Sequence, residues 1–552
     1  MIEKIAHIDP RQITDIKQLQ EMMVLVINIC DQMHTALQDA QTEIQSLKDE
    51  INVLKGEQEN PKFPDPPASK QPLPGTGPKK PMGKRGNHKR GGKKGRIKID
   101  RVEMVTLPAS DLPEDAILKG YKEYIQQDLR LRRDNVKYRV AIYYSLLEGR
   151  TYRAPMPENY QGAFGLGLIS LTQLLSGGAD VTQGRIEALF ASLGIEISSG
   201  TISNIITKRA GWAVDEQDEI LRQGIACSPF TQIDGTKSVE RGKTMATQII
   251  CSDKFSVFLT MPGKSRLDVL AALQGKPTAG LGVCFNASSV EFMEIMAVSH
   301  KARGLLDGLL IKNKPMLLTE LMDILNQSAH GFNKYNRVRI AHALALSHYK
   351  EQENFPIVNW LLSDDAGEYT KVARQRQALC WIHDARYYRK LIPYTDAHKK
   401  IHSDILEEYW TYYDQLKKYR GLTNLQRELK KHSLSQEFDR LFKRETDYYQ
   451  VNECLKRTYQ NKNKLLAVLE NPALPLHNNA AERGARRVVR KRDISLHTWS
   501  EQGTRVRDAF LTIVETAAKL GVNALAYIED RVGGDKKMVS LADRIQAAYA
   551  QY

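Results

Sequence analysis

No stretch of this sequence approaches the about 18 uninterrupted apolar residues that a membrane-spanning helix requires. The opening MIEKIAHIDPRQ lacks the basic-then-apolar layout of a secretory signal. Both absences predict a cytoplasmic protein without a membrane partner. Cysteine is scarce: the six residues Cys30, Cys227, Cys251, Cys284, Cys380 and Cys454 are scattered and never spaced as CxxC. That excludes a disulfide scaffold and any four-cysteine zinc ribbon. Acidic residues are outnumbered, with 65 Asp and Glu against 80 Lys and Arg, for a net charge of +15. The excess points to a polyanionic partner, either nucleic acid or an anionic membrane surface. At roughly 100 to 200 residues per domain, the 552 residues suffice for about three to five folded units.

Steps of three and four from Ile16 give Leu19, Met23, Val26, Cys30, Met33, Leu37, Ala40, Ile44, Leu47, Ile51 and Leu54, twelve consecutive apolar a and d positions. The seam is narrow and the remaining faces are polar, so 1–58 reads as a coiled coil through which the chain self-associates. From 59 to 98 the composition turns to Pro, Gly and Lys/Arg, too polar and turn-prone to build a core. Between Lys79 and Lys98 this linker carries ten Lys or Arg and no acid, Lys79, Lys80, Lys84, Arg85, Lys89 and Arg90 among them. Such a tether can follow a phosphate backbone by counterion release; its bland reading is a solvated linker.

Short extended runs such as KYRVAIYY mark 99–155 as a small β-containing unit, assigned to DNA binding. The region 156–225 holds a helix-turn-helix pattern: a helix through Phe190 and Leu193, a turn at Gly194, and a second helix starting near Ser198 and Ser199. In that second helix Ile202, Ile205 and Ile206 face inward, leaving Thr201, Asn204, Thr207, Lys208 and Arg209 for a major groove. Many helical pairs share this layout and bind nothing.

Three acids stand where metal ligands are found. FTQIDGT reads as a buried strand ending at Asp234, and FPIVNWLLSDDAGEY as another running into Asp364 and Asp365. In LPLHNNAAERGARRVVRKRD, Asn478 or Asn479 caps a helix that presents Glu482, followed by Arg483, Arg486, Arg487, Arg490, Lys491 and Arg492. Hard divalent cations take oxygen ligands and leave positions open for phosphates, so carboxylates converging from separate elements suit phosphoryl transfer. Taken singly, each acid is more readily a turn cap or an ion-pair partner.

The stretch HNNAAERGARRVVRKRDISLHTWSEQGTRVRDAFLTIVETAAKLGVNALAYI resembles the end of bacterial DDE transposases of insertion-sequence family sixty-six, whose N-N-x-x-E-R helix carries the catalytic Glu. Upstream pieces follow in order: zipper, basic linker, helix-turn-helix, a D-x-T strand end at Asp234, S-D-x-x-x-x-Y at Asp364, and C-W-x-H-x-x-R at Cys380, Trp381, His383 and Arg386. The resemblance covers essentially the whole chain. It implies an α/β fold with an RNase H-like catalytic core in 226–262 and 355–395, helical insertions at 263–354 and 396–470, and the catalytic Glu helix with the C-terminal region at 471–552. Its catalytic and metal-binding residues would be Asp234, Asp364 and Glu482, holding two Mg²⁺ ions or Mn²⁺ in their place. Asp364 is preferred for its distance to Tyr369, and SDDAGEY parallels a turn of retroviral-type integrases; Asp365 remains the rival.

Cys380 and His383 are expected to be structural, with His383 near the site and touching DNA and Arg386 contacting phosphate. The insertion at 396–470 holds Tyr409, Trp410, Tyr412, Tyr413, Tyr419, Tyr448, Tyr449 and Tyr459, which could stack on an unpaired base or simply pack between helices. The implied activity is metal-dependent cleavage and strand transfer on element ends and target DNA, in the bacterial cytosol or on the nucleoid, with accessory proteins of the same element as further partners. The alternatives are a non-catalytic DNA-binding derivative and a structure-selective nuclease on the same core.

Overall fold

The computed structural model describes residues 15–54, 99–105, 121–122, 124–129, 132–157, 160, 162–328 and 332–550. Two units separate: one holds 1–60, 139–192 and 196–552, the other 61–138 and 193–195. The linker cations Lys79, Lys80, Lys84, Arg85, Lys89 and Arg90 lie outside the described residues. The described residues of the second unit form no helix or strand. Among the described residues no helix is long and apolar enough to cross a membrane.

The first unit opens with helix α1 (Ile16–Leu54). Its a and d residues from Ile16 to Ile44 are bare, with Ile16 74% and Met33 63% exposed, whereas Asn28 and Asp31 are buried. Counted from Ile16 as a, those two and Thr35 fall at f, b and f, on the side away from the seam. The KYRVAIYY run is strand only from Ile142, in a hairpin of β1 (Ile142–Ser145) and β2 (Arg150–Arg153). Its rings stay in solvent, Tyr143 and Tyr144 being more than half exposed, so this hairpin covers no core.

Helices α2 (Leu166–Gly177), α3 (Gln183–Ser192), α4 (Ser199–Thr207) and α5 (Gly211–Cys227) follow. Ser198 caps α4 by accepting from the Thr201 amide at 3.2 Å. Ile202 and Ile205 are buried beneath α4 and Ile206 is half-buried, while Asn204, Lys208 and Arg209 are exposed on its other side. Thr201 and Thr207 are partly covered, and the Thr207 hydroxyl bonds back to the Ser203 carbonyl at 2.7 Å.

The chain then forms β3 (Thr231–Glu240), β4 (Lys243–Cys251) and β5 (Ser256–Met261), an antiparallel meander. After helices α6 (Arg266–Leu273), α7 (Ala287–Ile295), α8 (His300–Leu309), α9 (Leu318–Gln327) and α10 (Lys334–Glu351), with a small β6/β7 pair between them (Gly282–Cys284 and Pro315–Leu317), it returns to the sheet. There β8 (Trp360–Ser363) joins β3, and β9 (Arg376–Leu379) joins β8, both in parallel. The mixed sheet has the order β5-β4-β3-β8-β9. Alternation along β4 sends neighbouring side chains to opposite faces. Ile250 enters the large core with α5, α6 and α10, and Ile249 enters a smaller one with Ala481 and Val488. The helices of 263–354 share the large core rather than building their own.

Past β9 come α11 (Trp381–Arg389), α12 (Asp396–Arg420), α13 (Asn424–Phe442), α14 (Tyr449–Gln460) and the short α15 (Lys462–Leu465). They pack around Trp381 in a second core that consumes Tyr409, Tyr412, Tyr413, Tyr419 and Tyr448, each at most 7% exposed. Base stacking is therefore not the work of these five rings; they are the wall of a helical layer. Their hydroxyls end on partners inside it, as Tyr412 does on the Leu434 carbonyl and Tyr419 on that of Leu469. Helix α1 docks on this layer. Asp31 pairs with His398 in a buried contact and accepts from the Tyr394 amide, and Asn28 bridges the Asp447 carbonyl and the Tyr449 amide. The chain closes with α16 (Asn479–Ser495), α17 (Glu501–Leu520), α18 (Ala524–Gly533) and α19 (Leu541–Ala550).

Candidate active site

The strand β3 is buried through Thr231, Gln232 and Ile233, then emerges at Asp234. Its parallel register with β8 aligns Thr231 with Leu361 and Gln232 with Leu362. Continued by two residues, at a strand spacing of about 4.8 Å, that register sets Asp234 beside Asp364. The Asp234 carboxylate accepts from the Gly235 amide at 2.8 Å, and that of Asp364 from Ala366 at 3.2 Å.

Helix α16 supplies the third acid. Asn478 at its start uses its side chain for something other than a cap, donating to the Ile233 carbonyl at 2.8 Å, one residue from Asp234. The Asn478 amide bonds the Cys380 sulfur at 3.3 Å, and the Trp381 amide bonds the Leu476 carbonyl at 3.0 Å. Farther along, Gly484 meets β4 so closely that an added Cβ would lie 2.7 Å from the Ile249 side chain. These contacts fix Glu482 over the strand ends that carry the two aspartates.

The three carboxylates repel one another. The Asp234 carboxyl is pushed up to about 6, first by burial and then by the negative charges of Asp364 and Glu482; the Gly235 amide and Lys264 act the other way. Lys264 itself donates to the Gly235 carbonyl at 2.7 Å. Glu482 leans toward cations, with Arg386 at 3.2 Å and Arg486 at 3.7 Å. His383 stands 3.6 Å away, its imidazole held below its ordinary pKa by burial and by Arg386, so at neutral pH this contact is not an ion pair. As they stand, no three His, Cys, Asp or Glu side chains among the described residues are gathered tightly enough to enclose an ion.

Asp365 has a different surrounding. It points at the helical layer, where Arg457 reaches it at 2.9 Å, Asn461 at 3.2 Å and Lys464 at 3.6 Å. The two adjacent aspartates thus divide, Asp364 toward Asp234 and Asp365 toward α14. The expected cations also divide. Arg483, Arg486 and Arg490 are exposed along α16, whereas Arg487 is bound to the buried Asp180 at 2.7 Å and Lys491 to the Ser176 carbonyl at 2.6 Å, tying α16 to the end of α2. His383 and Arg386 stand at Glu482, and the α4 set of Thr201, Asn204, Thr207, Lys208 and Arg209 belongs to a separate helix.

Sequence reading passed over Asn478 as a tie, Lys264, and the α14 pair Arg457 and Asn461. Lys264 sits in an unremarkable turn, PGKSR, and carries no signal. Asn478 was visible only as a cap, because the carbonyl it serves is 245 residues away.

Residues 341–506, under a third of the chain, match the family described as "Transposase IS66 family". That span contains Asp364, His383, Arg386 and Glu482 but not Asp234. A protein of Sinorhizobium fredii, "Uncharacterized protein y4jO", is 28% identical over 339 residues, covering 60% of this chain and all of its own length. No solved structure matches the chain.

Proposed function

We propose, from the match of residues 341–506 to the IS66 transposase family, that the whole chain is a DNA transposase, one that binds the ends of its mobile element and cuts and joins DNA at Asp234, Asp364 and Glu482. The observation that carries this reading is geometric: the β3–β8 register sets Asp234 beside Asp364, and Asn478 ties the start of the Glu482 helix to the Ile233 carbonyl next to Asp234. The sheet, three antiparallel strands extended by two parallel ones with Asp234 on β3 and Asp364 just past β8, supports taking these parts as an RNase H-like core.

The donor set fits Mg²⁺, or Mn²⁺ in its place. All three groups are hard oxygen donors of the kind these ions take. Asp234, Asp364 and Glu482 would hold the ions, two in number, and the metal would supply Lewis-acid stabilisation of the attacking and leaving oxygens. The residues of this chain do the positioning. Asn478 locks the Glu482 helix to β3, Arg386 is placed to balance either Glu482 or a phosphate, and neutral His383 can donate to a DNA oxygen. No covalent protein intermediate is required, since phosphoryl transfer proceeds largely by alignment and charge stabilisation.

DNA recognition falls to the exposed side of α4, read as the second helix of a helix-turn-helix, together with the basic linker and the exposed α16 arginines. The bare seam of α1 is the surface for a second copy. Accessory proteins of the same element are further partners.

The test is Mg²⁺- or Mn²⁺-dependent nicking and strand transfer on labelled DNA carrying the sequences that flank the gene. Cleavage at a defined end, lost in Glu482→Gln while DNA binding is kept, supports the assignment. Normal turnover by Glu482→Gln sinks it.

A further inference from the structure

A cleft of about 320 Å³ opens beside Asp364, between the end of β8, the exposed side of α11 and the facing side of α14. That volume lies at the small end of ligand pockets. One wall carries Arg386 and Tyr387 of α11 with Lys390 just past its end, the other Arg457 of α14 with Asn461 just past its end, and Asp364 and Asp365 form its inner end. The cleft continues outward past Tyr387 and Arg457 toward Lys456 and Gln460.

Tyr387 differs from the five tyrosines buried in this layer. Its neighbour Tyr388 is fully buried, with its hydroxyl 2.8 Å from that of Thr458, while Tyr387 is 42% exposed and lines the cleft. The Arg457 guanidinium lies over the Tyr387 ring, 3.3 Å from its centroid, and is held there by Asp365 at 2.9 Å. Asn461 and Lys464 engage the same carboxylate. The ring is therefore braced by a pinned cation, with Arg386 and Lys390 also on the cleft and Asp364 and Asp365 at its inner end. A flat π-surface, a fixed guanidinium and two further cations within one small cleft are complementary to a nucleotide, with base on ring and phosphate on cation.

We propose that this cleft is a nucleotide subsite, in which an unpaired nucleotide at the end of the DNA strand stacks on Tyr387 while its phosphates are held by Arg457, Lys390 and Arg386. The assignment rests on the transposase reading. It adds to that reading a place where the strand end is gripped next to the acids, and a role for the second insertion, which delivers Arg457. Asp365 acts here through Arg457, as a positioning residue.

The test uses the full-length protein and a short DNA duplex with an unpaired 3′ tail carrying 2-aminopurine, mixed in EDTA so that binding is read without cutting. Wild type should quench the fluorescent base as it stacks. Tyr387→Phe, which keeps the ring, should quench equally; Tyr387→Ala should not, and should bind the tailed duplex about tenfold more weakly. A fully paired duplex should be bound equally by all three. Absence of quenching by wild type, quenching by Tyr387→Ala, or equal defects in Phe and Ala would each overturn the subsite. Because no cleavage is read, these outcomes are independent of the Glu482→Gln test of the catalytic assignment.

Discussion

Asn478 and Ile233 are 245 residues apart in sequence and joined by a 2.8 Å hydrogen bond from the Asn478 side chain to the Ile233 carbonyl. Asn478 is 1% exposed, so the bond is shielded from water. It connects the first residue before one acid to the turn that launches another. Asn478→Ala should leave a buried carbonyl unpaired, costing about 1–3 kcal/mol. Cleavage should fall by more than about tenfold, because geometry is lost beside the reacting centre. Thermal unfolding and cleavage rates on the same preparation measure both effects; unchanged cleavage would show that the tie does not set the site.

The adjacent aspartates should separate in function. Asp364→Asn should bring cleavage to background. Asp365→Asn should retain activity reduced roughly 10- to 100-fold, the range for residues that orient others at a site, since Arg457 loses its anchor. Parallel rates for the two variants decide it, and the reverse order would make Asp365 the catalytic acid.

Gly484 lets α16 lie against β4, and any Cβ there meets Ile249. Gly484→Ala should cost about 1–3 kcal/mol by overpacking, read as a lowered unfolding midpoint. Ile249→Leu in the same chain should recover part of the loss, since at nearly constant volume it removes the Cγ2 branch that the new Cβ meets. Failure to recover would locate the strain elsewhere.

Much of this was legible in the sequence. Strand ends at Asp234 and at Asp364 and Asp365, and the helix start before Glu482, leave local signatures, as do the isoleucines of α4 at helical spacing; the preference for Asp364 came from the family resemblance. The helical layer could not be read for what it does. Tyrosines at 409, 412, 413, 419 and 448 look alike in sequence to Tyr387, and only packing shows that the five are core and the one is exposed. Likewise Arg487 is one of six cations behind Glu482, and its commitment to Asp180 depends on a contact with the end of α2. Long-range pairings of this kind have no local periodicity to announce them.

Asp384 offers a pH test away from the three acids. Its carboxyl is pushed up to about 6 by burial, against the pull of hydrogen bonds from Thr458 and Tyr409 and the charge of Arg457. A folded-state value above the unfolded 3.8 means the native protein holds this proton more tightly. Stability from this group is therefore greatest below about pH 4 and declines as pH rises to about 6. Asp384→Asn should remove that decline, gaining on wild type by up to about 3 kcal/mol above pH 6. Chemical denaturation at pH 4, 5, 6 and 7 checks it; parallel curves would contradict it.

Association through the seam of α1 should fail when its apolar rows are charged. Met23→Glu with Met33→Glu alters two exposed positions, 58% and 63% exposed, and should leave the fold intact while converting an assembled species to a monomer. Light scattering after size exclusion reads the mass. An unchanged mass would move association to another surface.

Helix α14 receives α1 at Tyr449 and Gln450 and presents Arg457 to the cleft two turns later. At 1.5 Å per residue that is about 12 Å along a single rigid rod. A partner drawing on the bare rows of α1 would thus act as a hand on a crank whose far end is the grip on the strand. Under the proposed reading, assembly through α1 and the hold on the strand would share one helix, so a change at the α1 contact would be felt at Arg457.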